Sequence, residues 1–390
     1  MANHVLVFGA SGSAGWSVVE EALARYPNHD TFSTVTAMVN RPLSLSASGW
    51  TNGAVPGRPS LRIASGIDLT AGTAETLAAT MKGQAPELNK TTHVIYCAFI
   101  QHDHPATEAR MNGEAMQRLT GALNLECPDL RKFVLSEGTR FYHRQCSAEN
   151  ALPAPFKEEM TRWCNEQQRE ELFYFHMEAA LDETCKGGGW TWCGIIPDAV
   201  IGFAPSGSTF ALQLMWATWL ALYRHNNGAG AKVHYPGTGT SYSTKFNEVS
   251  ASVLAKGFIW AALNPDIQNG EIFNIADRHQ PSTMADTFPK LCGYFGLESE
   301  GPPETLDETS DFVMPSKYVK DNRHRFEEMG LTPIRIWKGD WLDAYGTMYT
   351  YDRHIGLDKI RAAGFVEERD PLGGWFKAFE QMKTANMIPW

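Results

Sequence analysis

The chain opens with Val5-Leu6-Val7-Phe8-Gly9-Ala10-Ser11-Gly12-Ser13-Ala14-Gly15, and no other stretch restricts its fold as much. Four consecutive apolar residues predict a strand buried on both faces. Trp16, Val18, Val19, Ala22 and Leu23 then mark one face of a helix. The glycines between them recur at every third position. In such a strand–turn–helix unit Gly9 permits the tight turn, Gly12 lets backbone approach a pyrophosphate, and Gly15 lets helix and strand pack closely. The helix start adds free N–H groups and a partial positive charge beside Ser11, Ser13 and Ala14. The expectation is a dinucleotide-binding turn; the plainer alternative is an ordinary tight turn.

Strand and helix then continue to alternate. Thr34–Val39 reads as a second buried strand ending in Asn40-Arg41-Pro42. The residue just past this strand meets the adenosine ribose in a dinucleotide-binding fold, where an acid favours a free 2′-hydroxyl and an arginine a 2′-phosphate. Arg41 stands here and no acid does, which favours NADP(H) over NAD(H) unless Arg41 is simply a solvated surface residue. Residues 43–60, rich in Ser, Gly and Pro, read as a loop. Leu61–Ala64 is a third strand, and Asp68 follows where a carboxylate could meet the adenine amine. A helix from Thr73, its N-cap, to Met81 comes next. The strand His93–Phe99 delivers Cys97, Ala98 and Phe99 toward the cofactor. A helix over 106–125 precedes the strand Lys132–Leu135, and Trp190–Ile196, stopped by Pro197, is the sixth strand.

This order predicts an α/β fold, a Rossmann-type doubly wound parallel sheet with helices on both faces. Beyond Pro197 the alternation loosens into a helix over Phe210–Tyr223, a short strand and turn over Lys232–Gly239, a helix over Val249–Leu263, a strand over Glu271–Ala276 and a mostly helical remainder. The expected division is 1–199 with 233–280 as the nucleotide-binding domain, and 200–232 with 281–390 as a smaller substrate-covering lid.

Composition narrows the partners. A net charge of −10 without a long basic run argues against nucleic acid, and the longest apolar stretch, 210–223, is too short to span a bilayer. Seven scattered cysteines (97, 127, 146, 164, 185, 193, 292) with no Cys-x-x-Cys pair fit a reducing compartment, the cytosol, with no disulfide framework and no zinc site. His102-Asp103-His104 lacks an evident fourth ligand, and no metal is expected.

By these residues the chain resembles the extended short-chain dehydrogenase/reductases, and among them the progesterone 5β-reductase and iridoid synthase group, which reduce enones with NADPH. The resemblance runs over about residues 4 to 390. It rests on the glycine turn and Arg41, on Thr92–Tyr96 with Asn112 and Met116, and on Pro197 with Ile201–Pro205. Tyr235-Pro236-Gly237 and Ile259–Ala262 carry it further. It implies NADP(H) as cofactor and a hydrophobic small molecule as substrate, a terpenoid, steroid or polyketide; a homodimer is the assembly it allows. Leu135–Tyr142 resembles the segment bearing the family's catalytic lysine, with Arg140 at that position. Leu172–Glu178 resembles the segment bearing its catalytic tyrosine, with Phe175 there in an ungapped alignment.

Both replacements bear on chemistry. A donor at the carbonyl oxygen lowers the barrier to hydride addition, and phenylalanine cannot donate. Arginine stabilises charge but is a poor proton donor. The residues that could take over are Tyr174 (if the register slips by one), Tyr142, and His176 or Glu178 as a general acid or base, each also readable as a core or helix residue, while Ser136 sits where a hydroxyl could bind the substrate carbonyl. An NADP(H)-dependent reductase of natural-product metabolism is the first expectation. A non-redox enzyme of the same fold (isomerase, aldolase or cyclase) is the second, and a non-enzymatic NADP(H) sensor the third. Asp198, after Pro197, could cap the next turn or point into the substrate cavity. Trp216, Trp219 and Tyr223, at helical spacing, read as core or as an apolar pocket wall.

Overall fold

The computed structural model describes residues 3–50, 57–143, 151–208, 211–306, 312–331 and 339–389. Cys146, Phe210 and part of the 43–60 loop lie outside the described residues. Strands β1 (Asn3–Phe8), β2 (Phe32–Met38), β3 (Ser60–Ala64), β4 (His93–Tyr96), β5 (Lys132–Ser136) and β6 (Thr191–Pro197) come in chain order. The short strands β7 (Ala199–Ile201), β8 (Lys232–His234) and β9 (Glu248–Ser250) follow, then β10 (Glu271–Ile275) and β11 (Glu298–Glu300).

Seven strands form one sheet in the order β3-β2-β1-β4-β5-β6-β10, every pair parallel. The chain reverses direction across the sheet between β1 and β4, and a crevice opens there beyond the carboxyl ends of the strands. Val5, Leu6 and Val7, like Val94, Ile95, Phe133 and Val134, are fully buried. Helices cover both faces, so the strands read as continuous apolar runs and not as alternating ones.

Pro105–Glu126 and Phe173–Gly188 lie against one another. Gly113 makes this possible, because a Cβ there would fall 2.8 Å from the Cβ of His176. Ala74–Gln84 starts at Thr73, whose hydroxyl accepts the Thr76 N–H in a reciprocal cap. On the opposite side Ser13–Leu23 packs against Ala251–Leu263.

Two expectations change in detail. β4 ends at Tyr96, so Cys97–Phe99 are loop; only the Cys97 N–H still bonds the Phe8 carbonyl, at 2.9 Å. Val249 lies in β9, which pairs with β7, and the helix begins at Ala251. The remainder is mostly helical as expected, and its strand β11 pairs with β8. Strands of three residues carry no readable period, and these two pairings are set by tertiary packing. The helix expected from Phe210 runs Leu212–Asn227 and contacts Pro315–Asp321 and Pro371–Thr384. Trp216 and Trp219 are buried core, Trp216 stacked on Tyr235 at 6.3 Å and near Phe288 at 5.5 Å. Tyr223 lies at the edge, its hydroxyl donating to the Lys232 carbonyl. Among the described residues no helix is long and apolar enough to cross a membrane.

Candidate active site

The glycine turn sits at the crevice. Gly9 has φ +71°, and a Cβ there would lie 2.6 Å from the Ala98 nitrogen and the Cys97 carbonyl. A Cβ on Gly15 would lie 2.4 Å from the Gly9 oxygen. Gly12 differs: its Cβ would meet nothing nearer than 3.6 Å, and it is the N-cap of Ser13–Leu23 without a side-chain cap. The Ser13 hydroxyl is buried with no hydrogen-bond partner at this helix start. Open space over Gly12, uncapped N–H groups and an unmet buried hydroxyl together suit a phosphate group. Ser11 and Ala14 are half-buried beside it, as are Cys97, Ala98 and Phe99 across the crevice.

Asn40 and Arg41 are exposed just past β2, and the Asn40 carbonyl accepts the Gly66 N–H. Asp68 follows β3 on the same side. One of its oxygens accepts both the Thr70 N–H (2.8 Å) and hydroxyl (2.7 Å), which hold the carboxyl below its usual range. Asn112 pins the loop after β4, donating to the Ile100 carbonyl and accepting its N–H.

At the ends of β5 and β6 the chain turns sharply. Ser136 closes β5 opposite Ile195, half-buried. The Thr139 N–H donates to the Pro197 carbonyl at 3.2 Å. Over this turn lies the phenol of Tyr174: a Cβ on Gly138 would fall 2.7 Å from its oxygen and 3.8 Å from the Pro197 carbonyl. Only glycine leaves room for it. The Tyr174 ring packs on Phe141 at 4.6 Å and Phe173 at 4.2 Å. Burial raises its pKa, with Arg140 pulling the other way.

Arg140 is ion-paired with the buried Glu108 at 2.9 Å and lies 5.2 Å over the Phe173 ring. Glu108 also accepts the His102 N–H, so the His102–His104 loop is tied to the same carboxylate.

Phe175 meets the same Phe141 ring edge-on at 5.2 Å but from another direction. It is turned to the guanidinium groups of Arg162 and Arg169, at 5.4 and 4.9 Å. Adjacent helix residues point about 100° apart, and Arg162, paired with Glu178 on the same helix, fixes which aromatic faces the sheet end. Of the two adjacent aromatics it is therefore Tyr174 whose ring tip meets Gly138. Two further candidates point elsewhere. Tyr142 is buried, and its hydroxyl donates to the Asn274 side-chain oxygen at 2.8 Å. His176 presents its Cβ to Gly113, and its Nε2 pairs with the Glu170 carbonyl at 3.0 Å.

A second polar group lies next to Pro197. Asp198 accepts the Thr139 hydroxyl at 2.8 Å, and its other oxygen is 3.8 Å from the Arg353 Nε. His143 Nε2 is 3.7 Å from Asp198, while its Nδ1 pairs with the Tyr351 hydroxyl at 3.2 Å. Burial alone would raise the Asp198 carboxyl, but His143, Arg353 and Thr139 hold it below its ordinary value. Arg353 is buried under the rings of Tyr349 (4.1 Å) and Phe246 (4.7 Å). Burial raises the Tyr349 phenol, with Arg353 pulling the other way. Sequence reasoning left Asp198 open and missed its companions. His143 follows Arg140 by three positions on one short helix, a signal that was available; Arg353 has none, being far along the chain.

Comparison with known proteins adds relatives over the same span. A model described as the PRISE-like Rossmann-fold domain matches residues 5–389. The short chain dehydrogenase ausT of Aspergillus calidoustus is 30% identical, covering 98% of this chain and 94% of that protein. The (S)-8-oxocitronellyl enol synthase ISY2 of Nepeta cataria is 21% identical over 80% of this chain and 77% of its own. Among solved structures, the GDP-mannoheptose C4 reductase MlghC of Campylobacter jejuni, with NADP bound, superposes with a TM-score of 0.59. It is 13% identical, with 98% of each chain covered, a likeness of fold.

Proposed function

The chain belongs to the PRISE-like Rossmann-fold family, and from that premise we propose that it is an NADP(H)-dependent reductase acting on an enone or carbonyl of a hydrophobic small molecule. The observation that carries this reading is the Tyr174 hydroxyl, set over Gly138 beside the Pro197 carbonyl, with Arg140 over the ring of the preceding Phe173. Among the described residues no protein group bonds that hydroxyl, so its hydrogen is free for a ligand.

The glycine turn, the Ser13 hydroxyl and the helix start would hold the diphosphate, and Arg41 a 2′-phosphate. When bound, the reduced nicotinamide supplies the hydride. This chain's residues do the remaining work. Tyr174, its phenol kept neutral by burial, donates a hydrogen bond to the substrate carbonyl oxygen as negative charge builds there, a contribution of several kcal/mol in comparable sites. Arg140, anchored by Glu108, adds positive potential without giving up a proton. Residues 200–232 and 281–390 cover the substrate, and the cytosol is the compartment this reading expects. Reduction of a terpenoid, steroid or polyketide in natural-product metabolism is the finer reading, and the likeness to an (S)-8-oxocitronellyl enol synthase supports the first of these.

One observation favours a second reading. The cation at the lysine position is paired and holds no transferable proton, which suits a non-redox isomerisation, aldol-type step or cyclisation on the same scaffold. Mixing the purified protein with NADPH and a panel of enones, with absorbance and product analysis, separates the two. Cofactor oxidation matched to reduced product supports the reductase. Conversion without cofactor oxidation supports the alternative. Tyr174→Phe is expected to lower kcat at least roughly tenfold, and an undiminished rate would remove Tyr174 from the site.

A further inference from the structure

We propose that Asp198 and His143, backed by Arg353, hold a hydroxyl group of the substrate, so that the protein selects hydroxylated apolar molecules. This rests on the reading of the neighbouring space as the substrate site. Two atoms carry it. The second Asp198 oxygen and His143 Nε2 are both buried and both lack a hydrogen-bond partner, although Asp198 is more than nine-tenths buried. Buried polar atoms are seldom left unmet, because each costs about 1–3 kcal/mol.

The spacing says what could meet them. His143 Nε2 stands 3.7 Å from the Asp198 oxygen that accepts Thr139, and Arg353 Nε stands 3.8 Å from the unmet one. Both separations are too long for direct bonds and shorter than twice a hydrogen-bond length, so one oxygen atom placed to the side can reach both members of a pair. That oxygen must donate to a carboxylate, which only accepts. It must also accept from the imidazole, whose Nε2 carries the hydrogen when Tyr351 donates to Nδ1.

A hydroxyl does both. A carbonyl would leave the Asp198 oxygen unmet, a carboxylate would be repelled by it, and an ammonium would meet Arg353. The rest of the surround is aromatic: Tyr349 stands 5.2 Å and Tyr351 6.2 Å from the His143 ring. Both are half-buried. Asp198 directly follows Pro197, whose carbonyl faces Gly138 under Tyr174, so both groups stand at the end of the same strand.

The test compares (E)-oct-3-en-2-one with its 6-, 7- and 8-hydroxy counterparts as substrates with NADPH. At least one hydroxylated ketone should be preferred about tenfold or more in kcat/KM, chiefly through a lower KM, as expected for a hydrogen bond to a charged group. Asp198→Asn and His143→Phe should each cut that preference to within about twofold. His143→Phe keeps a ring in place should the Asn variant fail to fold. No preference with any hydroxyl position, or a preference that survives in the folded variants, overturns the proposal. If none of these ketones is reduced, calorimetry with octan-2-one and 6-, 7- and 8-hydroxyoctan-2-one decides instead. Tighter binding of a hydroxylated ketone, lost in the variants, upholds the hydroxyl site while the reductase reading fails; equal binding of all four overturns it.

Discussion

At Gly138 a hydrogen atom in place of a methyl group decides where a phenol can stand. Gly138→Ala would set a Cβ 2.7 Å from the Tyr174 oxygen, well inside contact distance. Both the strand-end turn and the ring stack behind Tyr174 oppose a shift, so the phenol would have to leave its place. The variant is expected to lose activity about as severely as Tyr174→Phe while unfolding within a few degrees of the parent, read by steady-state kinetics beside a melting curve. Arg41 offers an independent check at the other end of the cofactor. Arg41→Ala should weaken NADPH binding roughly tenfold while changing NADH binding little, measured by titration of each nucleotide; equal losses would place Arg41 outside the 2′-phosphate contact.

Helix packing sets which residue of the Tyr174–Phe175 pair reaches the crevice. The phase of Phe173–Gly188 is fixed where His176 rides over Gly113 and where Arg162 grips Glu178. Gly113→Ala would put two Cβ atoms 2.8 Å apart and push this helix from its neighbour. A destabilisation of about 1–3 kcal/mol is expected, with kcat falling more than KM rises, from urea melts and kinetics on the same preparation. This is also where the sequence was hardest to read. Two adjacent aromatics give no hint of rotational phase, and the contacts that supply it lie on other elements. The sheet was legible because buried parallel strands are uninterrupted apolar runs and because Gly9 and Gly15 tolerate no side chain. The β7–β9 and β8–β11 pairs were not, since three residues cannot display a period of two.

For the molecule as a whole, two buried carboxyls tie stability to pH. Burial lifts Glu248 to about 7, against hydrogen bonds from Ser282 and Trp375, and lifts Asp277 to about 6. Both values lie above those of the unfolded chain, so the folded form holds these protons more tightly. Their contribution is full below about pH 4 and is lost as pH rises through 6 and 7. The midpoint of urea unfolding should therefore fall between pH 5 and pH 8 on this account, and Glu248→Gln should flatten that fall. For Glu248 alone the change amounts to about 3 kcal/mol at most. A variant with the parent's slope would show that Glu248 titrates normally.

One amide makes a demand on the order in which the molecule is made. The Asn274 side chain receives the Tyr142 hydroxyl and donates to the carbonyls of Phe156 and Gly356. The Gly356 peptide leaves the ribosome long after the glycine turn and the first six strands. Until it emerges, a donor at the margin of the nascent sheet has one acceptor where the finished protein provides two. The nucleotide cradle can thus form during synthesis, whereas the margin that seats Tyr142 closes only after translation has passed residue 356.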